Sequence, residues 1–246
     1  MKARPGKNST DKKMDGKGLF HRDFPFSRVF RTLEKAASQW QTPALEMVAE
    51  QQNDPFQVLI GTLLSLRTRD STTLEALRRL SRLADTPEKL SRLKTEQIAE
   101  AIYPVAFFRV KAAQLRELAG LIMTRHGGAI PAQMEDLLAL PGVGRKTANL
   151  TLSLGFGKPA VCVDVHVHRI LNRLGTLTSK NPEQTEWLIR ENVDRKKWSA
   201  INRVLVPFGQ TLCTPQSPWC GRCPVQSQCG KKGVTRTRGN KGEFDR

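Results

Sequence analysis

Apolar side chains recur every three or four residues along most of this chain, the spacing that places them on one face of a helix. The repeat is clear in the segment 107–125, where Leu115, Leu118 and Ile122 share a face. The same spacing marks segments at about 27–40, 70–80, 182–192 and 195–210. No segment alternates apolar and polar residues convincingly, and we see no internal repeat, so the pattern predicts an all-α fold.

Between two helical segments the chain turns through the sequence L-P-G-V-G-R-K-T-A, residues 140–148. Pro141 cannot extend the preceding helix, and Gly142 and Gly144 allow backbone angles that other residues resist. The segment therefore predicts a helix, a tight hairpin and a second helix, with backbone N–H groups directed out of the hairpin. Such N–H groups, with the positive end of a helix dipole behind them, favour a phosphate.

Lys146 lies at the start of the second helix, within reach of any molecule that carries this phosphate. An ordinary lysine is protonated at neutral pH and is then a poor nucleophile. Arg145 and the helix N-terminus both disfavour a second positive charge, so we expect them to favour the neutral amine. A neutral amine can form a Schiff base with a sugar aldehyde, and the alternative is a lysine that only holds a phosphate.

Asp164 follows the apolar run 160–163 and precedes the next helical pattern. A carboxylate at this position can cap the helix by accepting N–H groups of its first turn, and capping alone would explain it. A carboxylate that faces a lysine and a phosphate site can also stabilise a developing cation or activate an attacking amine. The sequence fits both interpretations equally well.

Four cysteines near the C-terminus, Cys213, Cys220, Cys223 and Cys229, form a C-x6-C-x2-C-x5-C pattern. Disulfides are rare in a long chain of cytosolic type that lacks a signal peptide, so the crowding favours a metal site. Zinc and a [4Fe–4S] cluster both accept four thiolates, and the spacing alone leaves both open. The fifth cysteine, Cys162, lies in the apolar run and is predicted to be a small buried residue.

The chain carries 40 Lys and Arg against 23 Asp and Glu, a formal net charge of +17. This surplus attracts polyanions, and duplex DNA is a better partner than a membrane because no apolar run could span a bilayer. Aromatic residues make up only 6% of the chain, which argues against a stacking platform for single strands. We predict that residues 1–22 and 231–246, which are basic and lack apolar periodicity, are disordered tails.

In this order and spacing, the hairpin sequence, the V-D-x-H of residues 163–166 and the four cysteines resemble the endonuclease III family. The resemblance runs from about Phe24 to Cys229 and so covers nearly all of the chain except its tails. That family consists of bifunctional DNA glycosylases and abasic-site lyases that act on oxidised pyrimidines in duplex DNA. The resemblance implies Lys146 as the nucleophile, Asp164 as its acidic partner and a [4Fe–4S] cluster on the four cysteines.

Further positions are assigned to DNA contact through this resemblance. The hairpin residues are Gly142, Val143, Gly144, Arg145 and Thr147. His166 occupies the position of the histidine in V-D-x-H, and the alternative is a purely structural residue in the first turn of a helix. The loop 214–219 carries no charge, so DNA contact is not expected there, and Arg222 or Lys231 is the substitute.

One loop, at Arg67, differs from the family pattern, and a second loop, residues 105–112, matches it. Where the family has S-x-Q-T-x-D, this chain has S-L-R-T-R-D, so Arg67 replaces the glutamine that enters the duplex near the vacated base. An arginine can fork to base acceptors or to phosphate, which leaves the opposite-base preference open. Residues 105–112 resemble G-[LF]-[YW]-x-x-K-A and give Phe107 the place of the intercalating wedge. The alternative is that Phe107 begins the packing face of a helix.

The resemblance implies two helical lobes with a DNA cleft between them. A six-helix lobe, residues 48–158, would carry the hairpin and Lys146, and a second lobe, residues 23–47 and 159–230, would carry Asp164 and the cluster. Such an enzyme must extrude the damaged nucleotide. The alternatives are a monofunctional mismatch-type glycosylase and a non-catalytic iron–sulfur DNA-binding protein. We expect a monomer in a bacterial-type cytoplasm, associated with the nucleoid.

Overall fold

A computed structural model describes residues 18–40, 43–52 and 54–239, and the basic segments 1–17 and 240–246 lie outside the described residues. Helices dominate the described residues, so the predicted all-α fold is confirmed. They are α1 (Phe26–Ala36), α2 (Ala44–Gln52), α3 (Pro55–Ser65), α4 (Asp70–Leu83), α5 (Pro87–Arg92), α6 (Thr95–Ile102), α7 (Phe108–His126), α8 (Met134–Leu138), α9 (Arg145–Leu150), α10 (Val165–Leu174), α11 (Pro182–Asn192) and α12 (Trp198–Thr211). Within these ranges no helix combines the length and apolar composition that crossing a bilayer requires.

Local chemistry fixes several helix ends. Asp54 accepts a hydrogen bond from the Phe56 N–H at 2.9 Å, and a proline occupies the first position of α3. Asn181 does the same for the Gln184 N–H at 2.9 Å at the start of α11. These pairs are N-cap arrangements, in which a side-chain oxygen satisfies an N–H group that the helix itself cannot.

Helices α2 to α9 enclose the first of two hydrophobic cores, which contains buried residues between Val48 and Ala160. Its centre is α3, which is buried along most of its length and packs against α4 and α7. Leu59 and Leu64 of α3 and Leu118 of α7 are completely buried. This dense apolar packing makes the first core a rigid base for the loops at its edge.

The second core joins α1 to α10, α11 and α12. Phe30 and Ile170 are buried there beside Phe208, so a helix from the N-terminal end of the chain packs with helices from the C-terminal third. The change from one core to the other falls between Ala160 and Val161, close to the lobe boundary expected between residues 158 and 159. The cysteine segment follows directly after α12.

Parts of both predicted tails are ordered, so the tail boundaries at residues 22 and 231 are wrong. Strand β1 (Leu19–Phe20) pairs antiparallel with β2 (Leu177–Thr178). At the other end, the Arg238 N–H donates to the Pro218 carbonyl at 2.8 Å. These segments are held by backbone hydrogen bonds, which a reading of side-chain composition cannot detect.

Candidate active site

The predicted helix–hairpin–helix is formed by α8, the turn 140–144 and α9. Gly142 has φ 75°, and a Cβ atom there would lie 3.2 Å from Gln114 Oε1 and 3.6 Å from Leu63 Cδ2. Glycine is therefore favoured by the backbone angle, while the tighter of the two contacts is with the flexible end of the Gln114 side chain. Gly142 and Gly144 are exposed, and among the described residues neither backbone N–H has a hydrogen-bond acceptor.

Two residues assigned to DNA contact have buried side chains. Val143 is 7% exposed and Thr147 is 2% exposed. The Val143 N–H also donates to the Leu140 carbonyl at 3.2 Å. Side-chain contact with DNA at these two positions is therefore excluded in this conformation, because both side chains anchor the hairpin to the protein interior.

Lys146 is exposed in the first turn of α9, and no described residue forms a hydrogen bond or ion pair with its Nζ. Its carbonyl oxygen lies 3.8 Å from Cys162 Sγ, which donates to it. Cys162 is buried, as predicted, and burial raises its pKa to about 12. The start of α9 is thus packed against the apolar run that leads to Asp164.

Arg145 forms an ion pair with a carboxylate that is distant in the sequence. Its Nη2 lies 2.7 Å from Glu186 Oε1, and its Nε lies 3.3 Å from Glu186 Oε2. Arg190 Nε contacts the same carboxylate at 2.9 Å, and Glu186 is only 4% exposed. The Glu186 carboxylate offsets the positive charge that was expected to act on Lys146. Arg145 links the hairpin to α11.

Asp164 begins α10 and caps it, because its Oδ1 accepts hydrogen bonds from the His166 N–H at 2.8 Å and the Val167 N–H at 2.9 Å. Among the described residues Asp164 Oδ2 has no hydrogen-bond partner, so the cap leaves half of the carboxylate free. Capping and a chemical role are therefore compatible.

The charges of Lys146 and Asp164 both influence the pKa values of the same two residues. Burial is the main cause of the raised pKa of Cys162, and the charge of Lys146 lowers that pKa while the charge of Asp164 raises it. The pKa of His166 is lowered mainly by burial, and here too the charge of Asp164 raises the pKa while the charge of Lys146 lowers it. Because water and salt screen charges that are far apart, both charges lie near these two residues.

His166 is half-buried against α12. Burial lowers its pKa, and Arg169 Nη2 lies 3.2 Å from its Nδ1. A Cβ atom on Gly209 would lie 2.8 Å from the same nitrogen, so the ring packs directly on the backbone of α12. These contacts support the structural alternative for His166 over DNA contact.

Arg67 and Phe107 lie side by side at the tips of two loops. Both have left-handed backbones, with φ 58° and 59°, and the Arg67 guanidinium lies 5.7 Å from the centre of the Phe107 ring. Phe107 is 60% exposed, whereas the next residue, Phe108, packs against the first core. The packing-face alternative for Phe107 is therefore wrong, and its exposure suits a wedge.

Lys111 is buried beneath these loops, and the sequence did not predict its burial or its contacts. It is 7% exposed, and its Nζ donates to the carbonyls of Leu64 at 2.9 Å and Leu66 at 2.7 Å. Burial lowers its pKa to about 8. The sequence feature that could have indicated Lys111 is its position as the lysine of the 105–112 motif, four residues after Phe107.

The four cysteines line one pocket at the end of the second core. Arg173, itself 7% exposed, donates from Nη1 to Cys213 Sγ at 3.4 Å, and the Lys231 N–H donates to Cys229 Sγ at 3.4 Å. Hydrogen bonds of this kind stabilise thiolates. The loop 214–219 is held by Arg173 as well, through the Thr214 and Pro215 carbonyls, both at 2.8 Å.

The spacing of the cysteines bears on the kind of metal centre. Within the part of the chain that the structure describes, no three His, Cys, Asp or Glu residues are grouped closely enough to bind one ion. In a [4Fe–4S] cube each thiolate binds a different iron, so the four sulfurs lie farther apart than around one tetrahedral zinc. The four thiols around one pocket are a donor set that a [4Fe–4S] cluster accepts.

Comparison with known proteins gives concordant matches. The family model for HhH-GPD superfamily base excision DNA repair proteins matches residues 60–195. Endonuclease III of Thermotoga maritima is 43% identical over 178 residues, covering 72% of this chain and 84% of that protein. The chain belongs to the endonuclease III family.

Other members of the endonuclease III family differ in length or are known in complex with DNA. Endonuclease III homolog 2 of Arabidopsis thaliana, a chloroplastic protein, is 41% identical over 183 residues, and the match covers 71% of this chain and 47% of that protein. A trapped endonuclease III–DNA covalent intermediate, an estranged-adenine complex, superposes with a TM-score of 0.74 at 27% identity. That match covers 84% of this chain and 94% of the other.

The superfamily match spans the hairpin, both loop tips, Lys146 and Asp164, and it ends before the first of the four cysteines. Glu186 also lies inside it, and sequence reasoning missed this residue. The sequence gives no local signal for Glu186, because its burial together with Gln184, Thr185, Leu188 and Ile189 is visible only in the structure.

Proposed function

We propose that Lys146 and Asp164 are the catalytic groups of this endonuclease III family enzyme, a DNA glycosylase and abasic-site lyase of base excision repair. The observation that carries the proposal is the contact of Cys162 Sγ with the Lys146 carbonyl at 3.8 Å, because Cys162 is two residues before Asp164 in the chain. The exposed amine of Lys146 and the free Oδ2 of Asp164 support it. The covalent DNA intermediate trapped in the similar endonuclease III structure also supports a protein nucleophile.

DNA binding would begin at the hairpin. The free N–H groups of Gly142 and Gly144 hold a backbone phosphate and fix the register of the protein on the duplex. The net charge of +17 strengthens this contact and makes it sensitive to salt. Insertion of Phe107 and Arg67 fills the space that the extruded nucleotide leaves, which lowers the cost of unstacking it.

The chemistry follows from the two groups. Asp164 accepts a proton from the Lys146 ammonium, and the neutral Nζ attacks the sugar C1′. The C1′–N bond to the base breaks, and the base leaves with the bonding electrons and takes up the proton that Asp164 received from Lys146. The Asp164 carboxylate, restored in this way, stabilises the positive charge of the sugar adduct. Opening of the sugar ring converts the C1′–Nζ bond into a Schiff base.

Strand cleavage uses the same adduct. The Schiff base withdraws electrons and acidifies the C2′ proton, so a base can remove it. The electrons of the C2′–H bond form a C2′–C3′ double bond while the C3′–O bond breaks, and the 3′ phosphate leaves. Water then hydrolyses the Schiff base and restores the free amine of Lys146.

The four cysteines would hold a [4Fe–4S] cluster. When bound, this cluster supplies four bonds that organise residues 213–229, and it takes no part in bond chemistry at the sugar. Arg173 and the Lys231 N–H stabilise the thiolates that such a cluster requires. The class of damage proposed is oxidised pyrimidine in duplex DNA, and a monomeric state in a bacterial-type cytoplasm stays a prediction.

Borohydride trapping on a duplex with one abasic site tests this proposal. The unmodified enzyme is expected to give a covalent adduct, and Lys146→Gln is expected to give none, because glutamine cannot form a Schiff base. Lys89→Gln is the control, since Lys89 is an exposed lysine paired with Asp85. An undiminished adduct in Lys146→Gln would refute the assignment. Release of an oxidised pyrimidine from a second duplex, without an adduct on the abasic duplex, would identify the unmodified enzyme as a monofunctional glycosylase.

Asp164→Asn separates the two roles of Asp164. Asparagine is also a good N-cap, so α10 is expected to keep its stability. Loss of the negative charge is expected to slow base release by about a hundredfold or more, as for other removed electrostatic groups. An Asp164→Asn variant with full activity and unchanged stability would leave Asp164 with the capping role alone.

A further inference from the structure

Helix α11 holds the helix of Lys146 at two points. At the first residue of α9, the Arg145 guanidinium pairs with Glu186 of α11, with Nη2 and Oε1 2.7 Å apart. About one turn further along α9, Asn149 Oδ1 accepts a hydrogen bond from Arg190 Nη2 at 3.1 Å. Lys146 lies between these two points, so its helix can neither tilt nor slide without breaking a contact with α11.

The Arg190 guanidinium joins the two cores and has three partners. Its Nε lies 2.9 Å from Glu186 Oε1, and its central carbon lies 5.0 Å from the centre of the Trp198 ring in the second core. Its Nη2 reaches Asn149, a completely buried residue of α9. One guanidinium can serve these partners together, because its donors form a planar fork and its face stacks on an aromatic ring.

The same helix is also tied to α10, which Asp164 caps. Thr185, the neighbour of Glu186 in α11, is completely buried, and its Oγ1 lies 2.7 Å from Nδ1 of His168. His168 is about one turn after Asp164 along α10. Successive residues of α11 therefore hold the helix of Lys146 and the helix of Asp164.

This bridge matters because the two proposed catalytic groups belong to different cores. Lys146 is on α9 of the first core, and Asp164 begins α10 of the second. Apolar packing fixes each helix within its own core, but contacts between the cores set the spacing of the two helices. Proton transfer requires donor and acceptor within hydrogen-bond reach, and a displacement of about 1 Å can slow such chemistry about a hundredfold.

From this we infer that Arg190 and Thr185 are positioning residues, which act through α11 to set the spacing between Lys146 Nζ and the Asp164 carboxylate. The inference rests on the proposed function, because it concerns the proton transfer between these two groups. Arg190 holds the helix of Lys146, and Thr185 holds the helix of Asp164. Loss of either contact is therefore expected to slow the chemistry and to leave the affinity for DNA unchanged.

Single-turnover rates of adduct formation on a duplex with one abasic site, trapped with borohydride, test the inference. Near neutral pH, Arg190→Met is expected to react about a hundredfold more slowly than the unmodified enzyme, and Thr185→Val about tenfold more slowly. The affinity for a duplex with an uncleavable tetrahydrofuran analogue is expected to stay the same in both variants. Thr185→Val removes one hydroxyl and keeps every ion pair, so it provides the same test should Arg190→Met fail to fold.

The pH dependence of these rates distinguishes positioning from a general loss of structure. A lysine that has moved away from Asp164 must lose its proton to the solvent, so the rate of Arg190→Met is expected to recover toward that of the unmodified enzyme as the pH is raised. A partly unfolded variant would instead be slower by a similar factor at every pH. Arg195→Met is the matched control, because Arg195 stacks on the same Trp198 ring at 5.9 Å but, among the described residues, forms no hydrogen bond with α9.

The outcomes separate the inference from the proposed function. An Arg190→Met rate equal to that of the unmodified enzyme or of Arg195→Met would overturn the inference. A slower rate with an unchanged pH dependence, or with an equal loss of affinity for the tetrahydrofuran duplex, would assign Arg190 a purely structural role and overturn it as well. In each of these cases an adduct that requires Lys146 would still uphold the proposed function, whereas an unmodified enzyme that forms no adduct would refute both.

Discussion

The two hydrophobic cores are completed in different ways. The first core, around α3 and α7, is filled almost entirely by aliphatic side chains, and Lys111 is buried at its edge. The second core contains the buried charges of Glu186 and Arg173 and ends at the cysteine pocket. The first core is therefore stabilised mainly by burial of apolar surface, whereas the second also contains buried ion pairs and would be completed by the proposed cluster.

This difference matters because each core contributes one member of the proposed catalytic pair. Lys146 lies on α9, which packs on the first core, and Asp164 begins α10 in the second. Later turns of α10 hold the cysteine segment, through Arg169 to the Cys213 carbonyl at 2.9 Å and through Arg173 to Cys213 Sγ. We therefore expect damage to the second core to move Asp164 and leave the helix of Lys146 in place.

Removal of a thiol ligand is expected to have the largest effect. Cys223→Ala would lose one of four bonds to the cluster and expose the end of the second core, because the cysteine segment has few apolar residues to hold it. Hydrogen exchange is expected to show loss of protection in α10, α12 and residues 213–239, with α3 and α7 unchanged. Cys162→Ala removes the one cysteine outside the pocket and is expected to preserve both protection and the absorbance of the cluster.

Uniform loss of protection in both cores of Cys223→Ala would contradict the comparison, because it would mean that the first core cannot stand without the metal centre. Retained protection in both cores of Cys223→Ala would also contradict the comparison, because the cysteine segment would then be stable without the metal centre.

Glu186→Gln tests the buried ion pairs that join the hairpin to the second core. Arg145 and Arg190 would both lose their carboxylate, and a buried charge without its partner is destabilising. We expect the free energy of unfolding in urea to fall by about 2 kcal/mol, below the range for fully buried pairs, because both arginines are partly exposed and water screens their charges. Glu183→Gln, an exposed change on the same helix, is expected to have little effect, and an equal effect of the two would remove the special role of Glu186.

The sequence predicted features that depend on neighbours along the chain. The hairpin, the cap at Asp164 and the crowding of four cysteines all follow from residues within a few positions of one another. The partners of Arg145 and Lys111 could not be predicted in this way, because Glu186 lies 41 residues from Arg145 and the Leu64 carbonyl lies 47 residues from Lys111. Composition also misjudged residues 19–22 and 231–239, whose order comes from backbone pairing with distant segments.

The smallest expected effect concerns Lys111, the buried cation of the first core. Burial lowers its pKa from the ordinary value of 10.5 to about 8, so between these two values the unfolded chain binds more protons than the folded one. The free energy of unfolding should therefore rise with pH through this window, by about 1–2 kcal/mol between pH 8 and pH 9.5, and should gain nothing from Lys111 below pH 7. Lys111→Met cannot titrate at this position. Urea unfolding at several pH values should therefore show the free energy of unfolding of the unmodified protein rising by this amount relative to that of the variant. Parallel profiles would show that Lys111 has an ordinary affinity for its proton in the folded protein, and the loops of Arg67 and Phe107 would then lie on a more hydrated base than the packing of the first core implies.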